Sequence, residues 1–259
     1  MNRNIMNRHK TAMTLATQLA VAMAAMLGTH LATAAEAETD VMGKGNTQLE
    51  FKLGVSRDRV AAFHESSTPF VARIGVSDTL EVRVVTDGYL KSKVDGVTTK
   101  GMADTNLGLR LRLQETDEKT GKVGMAVQLE QGLPTGATAF RAVGGSTALK
   151  FTATWALPED ASIGVQPGLL RVRNGDGNWY VAPSMSLTVA KSWSPKLRTV
   201  AELIAPQITS QKNGGNEAYF ALGATYSLTD MFELEATYAR SLNKNAPQNN
   251  FAAGVNVKF

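Results

Sequence analysis

The sequence contains no cysteine and only three histidines. The missing thiols exclude disulfide bonds, thiolate nucleophiles and cysteine-based metal sites. Two of the histidines, His9 and His30, lie in an N-terminal segment that we expect to be cleaved, which leaves His64 alone in the mature chain. A metal centre built on several histidines is therefore excluded, and we expect neither a metal nor another cofactor.

Long apolar runs are also missing beyond the N-terminus. There, Arg3, Arg8 and Lys10 precede a stretch rich in Ala, Leu, Met and Val that ends on Ala32-Thr33-Ala34. A charged start, a short apolar middle and a small-x-small exit are typical of a secretory signal peptide. We expect residues 1–34 to be removed by cleavage after Ala34, with cleavage after Ala37 as the alternative. No later segment approaches 18 consecutive apolar residues, so no transmembrane helix is predicted there.

A strong charge of one sign is missing as well. The net charge of +4 falls to +1 without the leader, because the leader carries three basic residues and no acid. No basic tract remains, and lysines and arginines alternate with acids along the chain. Nothing therefore predicts a nucleic-acid partner.

What the sequence has instead is a two-residue alternation of apolar and polar side chains. In TNLGLRLRLQE, from Thr105 to Glu115, a leucine stands at every second position. A helix would scatter these leucines around its circumference, whereas a strand sends them all to one face. Twelve such runs of about 9 to 13 residues are long enough to cross a bilayer as tilted strands. They begin near residues 47, 68, 79, 104, 122, 147, 161, 178, 196, 217, 231 and 249.

The connections between the runs alternate between two kinds. Tight turns such as Leu157-Pro158-Glu159-Asp160 follow the even-numbered runs, and longer polar loops follow most odd-numbered ones, as at Lys91–Lys100, Leu133–Gly145 and Asn243–Asn250. Bacterial outer-membrane barrels have this layout, with the short turns in the periplasm. The pattern predicts an all-β protein, a transmembrane antiparallel β-barrel of about 12 strands over residues 47–259. Residues 35–46 would be a short periplasmic segment, and the location the outer membrane.

The positions of the aromatic residues along the runs fit two membrane interfaces, where amphipathic rings are preferred. One group falls at the expected periplasmic ends and the other at the outer ends. The first group is Trp155, Trp193, Tyr226, Phe232 and Phe259, and the second is Phe70, Trp179, Tyr180, Phe220 and Phe251.

The alternative fold is a secreted β-sandwich or lipocalin-like barrel with the apolar faces turned inward. The two kinds of connection oppose it, as does the last strand. Val255, Val257 and Phe259 end the chain as an apolar alternating strand with a terminal Phe, which resembles the signal that the barrel-assembly machinery recognises. We therefore expect that machinery and the lipid bilayer as partners.

Three prolines interrupt the seventh, eighth and ninth runs, namely Pro167, Pro183 and Pro206. Because proline lacks an N–H for the strand ladder, we expect bulges or shortened pairing there, and the strand count is least secure in this region. Arg171 falls on the apolar face of the seventh run, which is tolerable only near the outer interface.

Several segments resemble the outer-membrane protein family named for a meta-pathway of phenol degradation. They are GKGNTQLEFKLGVSRD from Gly43, GMADTNLGLRLRLQE from Gly101, GMAVQLEQGLPTG from Gly124 and YSLTDMFELEATYARSL from Tyr226. The resemblance covers most of the mature chain. It implies a monomeric barrel that transports aromatic or other small hydrophobic compounds, and it supplies no catalytic motif to carry over.

The polar faces of the runs would line a narrow lumen of mixed charge, since twelve strands leave a restricted path. In the purely structural interpretation, these charges form a salt-bridge network that fills the barrel. The functional one is a cationic strip of Arg73, Arg83, Arg110 and Arg112 that guides anionic or aromatic solutes. The other inward charges that we expect in the lumen are Glu50, Lys52, Glu81, Glu130, Lys150, Arg198, Glu202, Glu233, Glu235 and Lys258.

The sequence leaves two functions open besides a channel for small molecules. His64 and Ser66 have the H-x-S spacing of some outer-membrane lipid hydrolases, although we place them in an outer loop and Ser67-Thr68 replaces the Asn-Gly that follows such a pair. A structural or adhesive surface protein is the other alternative. Its best candidate, the loop Leu133–Gly145 with Phe140 and Arg141, can equally fold inward as a constriction.

Overall fold

The structure is a computed structural model, and it describes residues 39–58 and 63–259. The expected leader and its cleavage site at Ala34 or Ala37 lie outside these residues. Within the described ranges, a single short 3-10 helix, Gln211–Asn213, accompanies fifteen β-strands. The strands are β1 (Thr47–Asp58), β2 (Phe63–Ser67), β3 (Phe70–Gly75), β4 (Leu80–Thr86), β5 (Tyr89–Val94), β6 (Val97–Met102), β7 (Thr105–Gln114), β8 (Gly124–Leu133), β9 (Ser146–Leu157), β10 (Ala161–Arg173), β11 (Trp179–Ser192), β12 (Leu197–Gln207), β13 (Glu217–Ser227), β14 (Phe232–Ser241) and β15 (Asn249–Lys258).

Twelve of these strands form a closed antiparallel wall, which confirms the predicted count. The wall runs through β1, β3, β4 and β7 to β15 in order. It closes because β15 pairs with β1, from Gln48 opposite Lys258 to Arg57 opposite Asn249. Closure leaves no free edge, which is the condition for a sheet to span a membrane.

The other three strands, β2, β5 and β6, extend the sheet beyond the wall on the side of the long loops. β2 pairs with the last residues of β1, β5 pairs with β2, and β6 pairs with β5. We call these three strands the extracellular extension. The ends of the wall, at Thr47 and Phe259, lie at the opposite, short-turn side, where their backbones exchange hydrogen bonds.

The extension corrects one prediction. Lys91–Lys100 was expected to be a long loop, but it lies within a hairpin of β5 and β6 that turns at Asp95 and Gly96. These two residues have φ values of 48° and 84°, which suit a two-residue hairpin turn. The prediction was wrong because neither face of this hairpin is continuously apolar. Lys91, Lys93 and Lys100 interrupt the outward face, and Ser92 and Thr99 interrupt the inward one.

The direction of the side chains identifies the solvent on each side of the wall. On β7, Leu107, Leu109 and Leu111 point outward and are 46%, 48% and 42% exposed, whereas Arg110 points inward and is 3% exposed. A soluble β-protein would have the opposite arrangement. An outward arginine or lysine at mid-membrane depth would cost about 2–4 kcal/mol, so the outer face is the lipid face and the secreted alternative is wrong. In the described ranges, no helix has the length and apolarity to cross a bilayer.

The aromatic residues of both predicted levels are mostly outward. Trp155, Trp193 and Phe259 are exposed on the periplasmic side, and Trp179 and Phe251 on the outer side. Tyr180 is the exception, because its hydroxyl donates to Gln207 Oε1 inside the barrel at 2.8 Å. Arg171 points outward near the outer end of β10 and stacks on Trp179, with 4.0 Å from its guanidinium carbon to the ring centroid.

The three prolines disturb the ladder as predicted. Pro206 lies in a register shift between β12 and β13, and pairing of β11 with β12 begins only at Met185, after Pro183. Around Pro167, β10 loses its pairs with β9 between Val165 and Gly168. The strand count is unaffected, because each of these strands remains paired with both of its neighbours along the rest of its length.

Candidate functional site: the barrel lumen

A cluster of arginines occupies the wall at β3, β4 and β7. The two-residue period turns Arg73, Arg83 and Arg110 inward, and the register places Arg73 opposite Arg83 and Glu81 opposite Arg110. Arg73 donates from Nε to Glu81 Oε1 at 3.0 Å and from Nη2 to Oε2 at 2.9 Å, and Arg83 Nε lies 3.4 Å from Oε1. Three guanidinium groups therefore surround one fully buried carboxylate.

Gln128 of β8 joins this cluster. Its Oε1 atom accepts from Arg83 Nη1 at 3.1 Å and from Arg110 Nε at 2.6 Å. Its amide nitrogen donates to Glu130, which lies 3.5 Å from Lys150 Nζ. A neutral residue thus fixes two arginines, and prediction from charged residues alone did not select it as a site residue. The signal was its inward position in the alternation of Val123 to Glu130.

The acids gather at the closure, on β14 and β1, where β15 adds Lys258. Lys52 Nζ lies 2.8 Å from Glu235 Oε1 and 3.4 Å from Glu50 Oε2, and Lys258 Nζ lies 2.7 Å from Glu233 Oε1. The salt-bridge interpretation thus describes these residues well. It describes the arginine cluster less well, because several guanidinium groups share a single acid there.

Two of the predicted lumen residues lie apart from both clusters. Arg112 is at the periplasmic rim, where it pairs with Glu115 at 2.6 Å and donates to the backbone oxygen of Asp78. Glu202 is buried and accepts from the hydroxyl groups of Ser186 and Thr188. The four arginines of the predicted strip are therefore split, with three at the cavity and Arg112 outside it.

A cavity of about 310 Å³ opens between the arginine cluster and the acids at the periplasmic end of the lumen. Six cationic side chains and three acidic ones line it, so its lining carries an excess of positive charge. The cations are Arg73, Arg83, Arg110, Lys196, Arg198 and Lys258, and the acids are Glu50, Glu233 and Glu235.

The described part of the N-terminal segment, residues 39–46, lies against this end of the barrel. The backbone N–H of Met42 donates to Glu81 Oε2 at 3.0 Å, and Arg73 donates to the backbone oxygen of Asp40 at 3.2 Å. The segment expected to be periplasmic is thus fastened to the arginine cluster.

The extracellular half of the lumen is filled by loops that pack in two apolar clusters, beside buried polar side chains such as Gln207 and Glu217. Phe140, from the loop between β8 and β9, is 1% exposed and packs on Leu90 and Ala103. On the other side, Ala246 from the loop between β14 and β15 packs on Tyr219. Of the two possibilities for the loop Leu133–Gly145, the structure has the inward one.

Asp104 holds the loop between β8 and β9 in this position. Its two carboxylate oxygens accept from the backbone N–H groups of Gly136 and Ala142, each at 2.7 Å. Gly136 has no room for a side chain, because a Cβ atom would lie 2.8 Å from Asp104 Oδ1. Asp104 and Gly136 belong to two of the segments that carried the family resemblance, and the fold brings those segments into contact.

The candidate hydrolase pair lies on a strand, which corrects its assignment to a loop. His64 and Ser66 both point outward from β2, separated by the buried Glu65. Across the sheet, His64 faces Arg57 and Lys93, and Ser66 faces Lys91. A catalytic histidine needs a group that accepts a hydrogen bond from its second ring N–H, and the residues that face His64 are cations instead.

A closed antiparallel wall with an apolar outer face and a charged lumen defines the class of this protein, a bacterial outer-membrane β-barrel. Within that class, the chain belongs to the family described as "MetA-pathway of phenol degradation", whose profile matches residues 22–259. No curated protein matches it by sequence.

Solved structures share the fold. An outer membrane channel from Pseudomonas putida F1 superposes with a TM-score of 0.64 at 14% identity, covering 88% of this chain and 100% of that one. The NanC porin superposes with a TM-score of 0.54 at 10% identity, covering 81% and 100%.

Proposed function

We propose that this barrel is an outer-membrane channel for small molecules, with aromatic compounds that carry a negative charge as its preferred solutes. The observation that carries the proposal is the arginine-lined cavity of about 310 Å³ inside a closed wall. A volume of this size suits a small molecule. The family's description by phenol degradation and the channel title of the Pseudomonas putida F1 structure support the same conclusion.

The two halves of the lumen would act on different parts of such a solute. After the loops open, an aromatic ring would first meet the side chains of Phe140, Leu90 and Tyr219, which are buried beneath these loops. A carboxylate or phenolate would then meet the guanidinium groups of Arg83 and Arg110, which can pair with an anion and also stack on a ring.

The proposal includes no chemical step, so the chain is not an enzyme on this view. His64 and Ser66 lie outside the barrel wall and far along the sheet from the cavity, and their neighbours are basic. Release of free fatty acid from phospholipid in the presence of calcium would contradict this part of the proposal.

The channel is tested by swelling of liposomes that contain the folded protein. Benzoate, benzyl alcohol and a neutral sugar of similar size form the panel. We expect benzoate to enter several-fold faster than benzyl alcohol does beyond its leak through protein-free liposomes, and the sugar to be slow. Entry of none of the three above the leak, from protein shown to be folded by its gel mobility, would overturn the proposal.

A further inference from the structure

The outward face of the extracellular extension, together with the adjoining end of β1, carries five basic side chains in two neighbouring rows. In the first row, Arg57 of β1 lies opposite His64 of β2, which lies opposite Lys93 of β5. In the second, Lys91 of β5 lies opposite Lys100 of β6. All five side chains are exposed. We call them the basic patch.

Side chains directly opposite one another in antiparallel strands have Cβ atoms about 4.5–5.5 Å apart, and like charges there repel. Neither row contains an acid. The acids on the neighbouring elements point elsewhere, because Asp58 and Glu65 lie on the inward face, Asp87 is buried, and Asp95 lies at the tip of the hairpin. Within the described ranges, no ion pair includes a residue of the basic patch.

The basic patch begins where the apolar outer face ends. On β1, the outward residues before Arg57 are Leu53 and Val55, which are 69% and 40% exposed. On β5, Tyr89 precedes Lys91, and on β6 Met102 follows Lys100, each on the same outward face. The border between apolar or aromatic and basic residues thus crosses three strands. It lies one row nearer the membrane on β5 and β6 than on β1, because Val55 shares a row with Lys91 and Lys100. That border is where acyl chains give way to headgroups, since interfacial aromatic rings mark the headgroup level.

We propose that the basic patch binds the phosphate groups of lipid headgroups in the outer leaflet. A phosphate has the charge that both rows lack, and lysine and arginine are its usual partners in proteins. Its source is a lipid, because the lipid-facing part of the same three strands leads directly into the patch. A bound headgroup screens the repulsion between Lys91 and Lys100 and fastens the extracellular extension to the membrane surface. This inference does not depend on what passes through the lumen.

The test uses the folded, detergent-solubilised barrel and titrates it with micelles that contain diphosphorylated lipid A. The variant Lys91→Gln/Lys93→Gln/Lys100→Gln is compared with Lys44→Gln/Lys119→Gln/Lys122→Gln, which removes the same charge from exposed positions at the periplasmic end. We expect binding by the patch variant to be at least tenfold weaker and binding by the control variant to be unchanged.

Equal losses in both variants, or none in either, would overturn the proposal. Equal binding of a dephosphorylated lipid A would overturn it too, because the patch would then recognise acyl chains. Displacement of the lipid by the same concentration of inorganic phosphate would show a site for free phosphate instead. If the triple variant does not fold, Lys91→Gln alone provides the test, with an expected loss of about threefold.

Discussion

The two halves of the lumen are built from different parts of the chain. The periplasmic half is lined by wall side chains such as Arg83, Arg110 and Glu235, whose positions follow from strand register. The extracellular half is filled by Phe140 and Ala246, which come from loops. Wall residues move only if the ladder breaks, whereas a loop moves when a few hydrogen bonds open. We therefore expect selection and opening to be separable, with selection at the charged end and opening at the end that the loops fill.

Deletion of residues 137–144 should have the largest effect, because it changes only the half of the lumen that the loops fill. It removes Phe140 from the lumen and leaves Gly136 next to Gly145, close to the paired ends of β8 and β9. We expect single-channel conductance in planar bilayers to rise several-fold with little change in ion selectivity. Conductance equal to that of the unaltered protein would place the narrowest point elsewhere.

Asp104→Ala should have the next largest effect, because it removes two of the hydrogen bonds that hold the same loop and leaves the one from Ala137 N–H to the Met102 oxygen. Hydrogen bonds to charged groups contribute about 1.5–3 kcal/mol each, so the open population of the loop should rise by about tenfold or more. We expect frequent openings in single-channel records. Asp104→Asn should be intermediate, since its amide retains one acceptor.

The control for this experiment is Asp176→Ala, which removes an exposed carboxylate from another extracellular turn. Its records should match those of the unaltered protein. If Asp104→Ala also matches them, the inward loop is held by the packing of Phe140 and the backbone bond of Ala137, and not by Asp104.

The double variant Arg83→Gln/Arg110→Gln tests the charged, periplasmic half of the lumen. The excess of positive charge at the cavity falls, so we expect the anion-to-cation permeability ratio, measured from reversal potentials, to fall several-fold. Arg112→Gln is the matched control, because Arg112 pairs with Glu115 at the rim and does not line the cavity. An equal change in the control would assign selectivity to the rim.

The smallest effect concerns pH. Burial raises the pKa of Glu65 in the extracellular extension to about 7, and burial together with Glu65 raises the pKa of Asp87 well above its usual value. A carboxyl group that binds its proton more tightly when folded stabilises the structure at low pH, and this stability falls as the pH rises through about 7. We expect amide exchange in β5, corrected for intrinsic rates, to accelerate between about pH 5 and 8. Glu65→Gln should weaken this dependence and leave the part that Asp87 contributes through its own burial.

The wall was predictable from the sequence because the alternation of apolar and polar residues within each strand shows which side chains share a face. The leucines of β7 suffice to orient Arg110, and no distant contact is needed for that inference. The two hydrogen bonds that Asp104 accepts were not predictable. Gly136 and Ala142 lie 32 and 38 residues away in sequence, and only the folded chain brings them next to Asp104. Gln128 was not predictable as a site residue for a related reason. Its side chain is neutral, and its role depends on the hydrogen bonds that it accepts from two arginines of other strands.

The pairing of β1 with β15 limits how this molecule can be made. The first strand of the wall finds its neighbour only after the last one has left the ribosome, so no partly synthesised chain can be a finished barrel. An unfinished sheet would expose bare N–H and C=O groups to hydrocarbon, which is severely unfavourable. Synthesis and membrane insertion must therefore be separate events, and the polypeptide must reach the membrane before the barrel has closed.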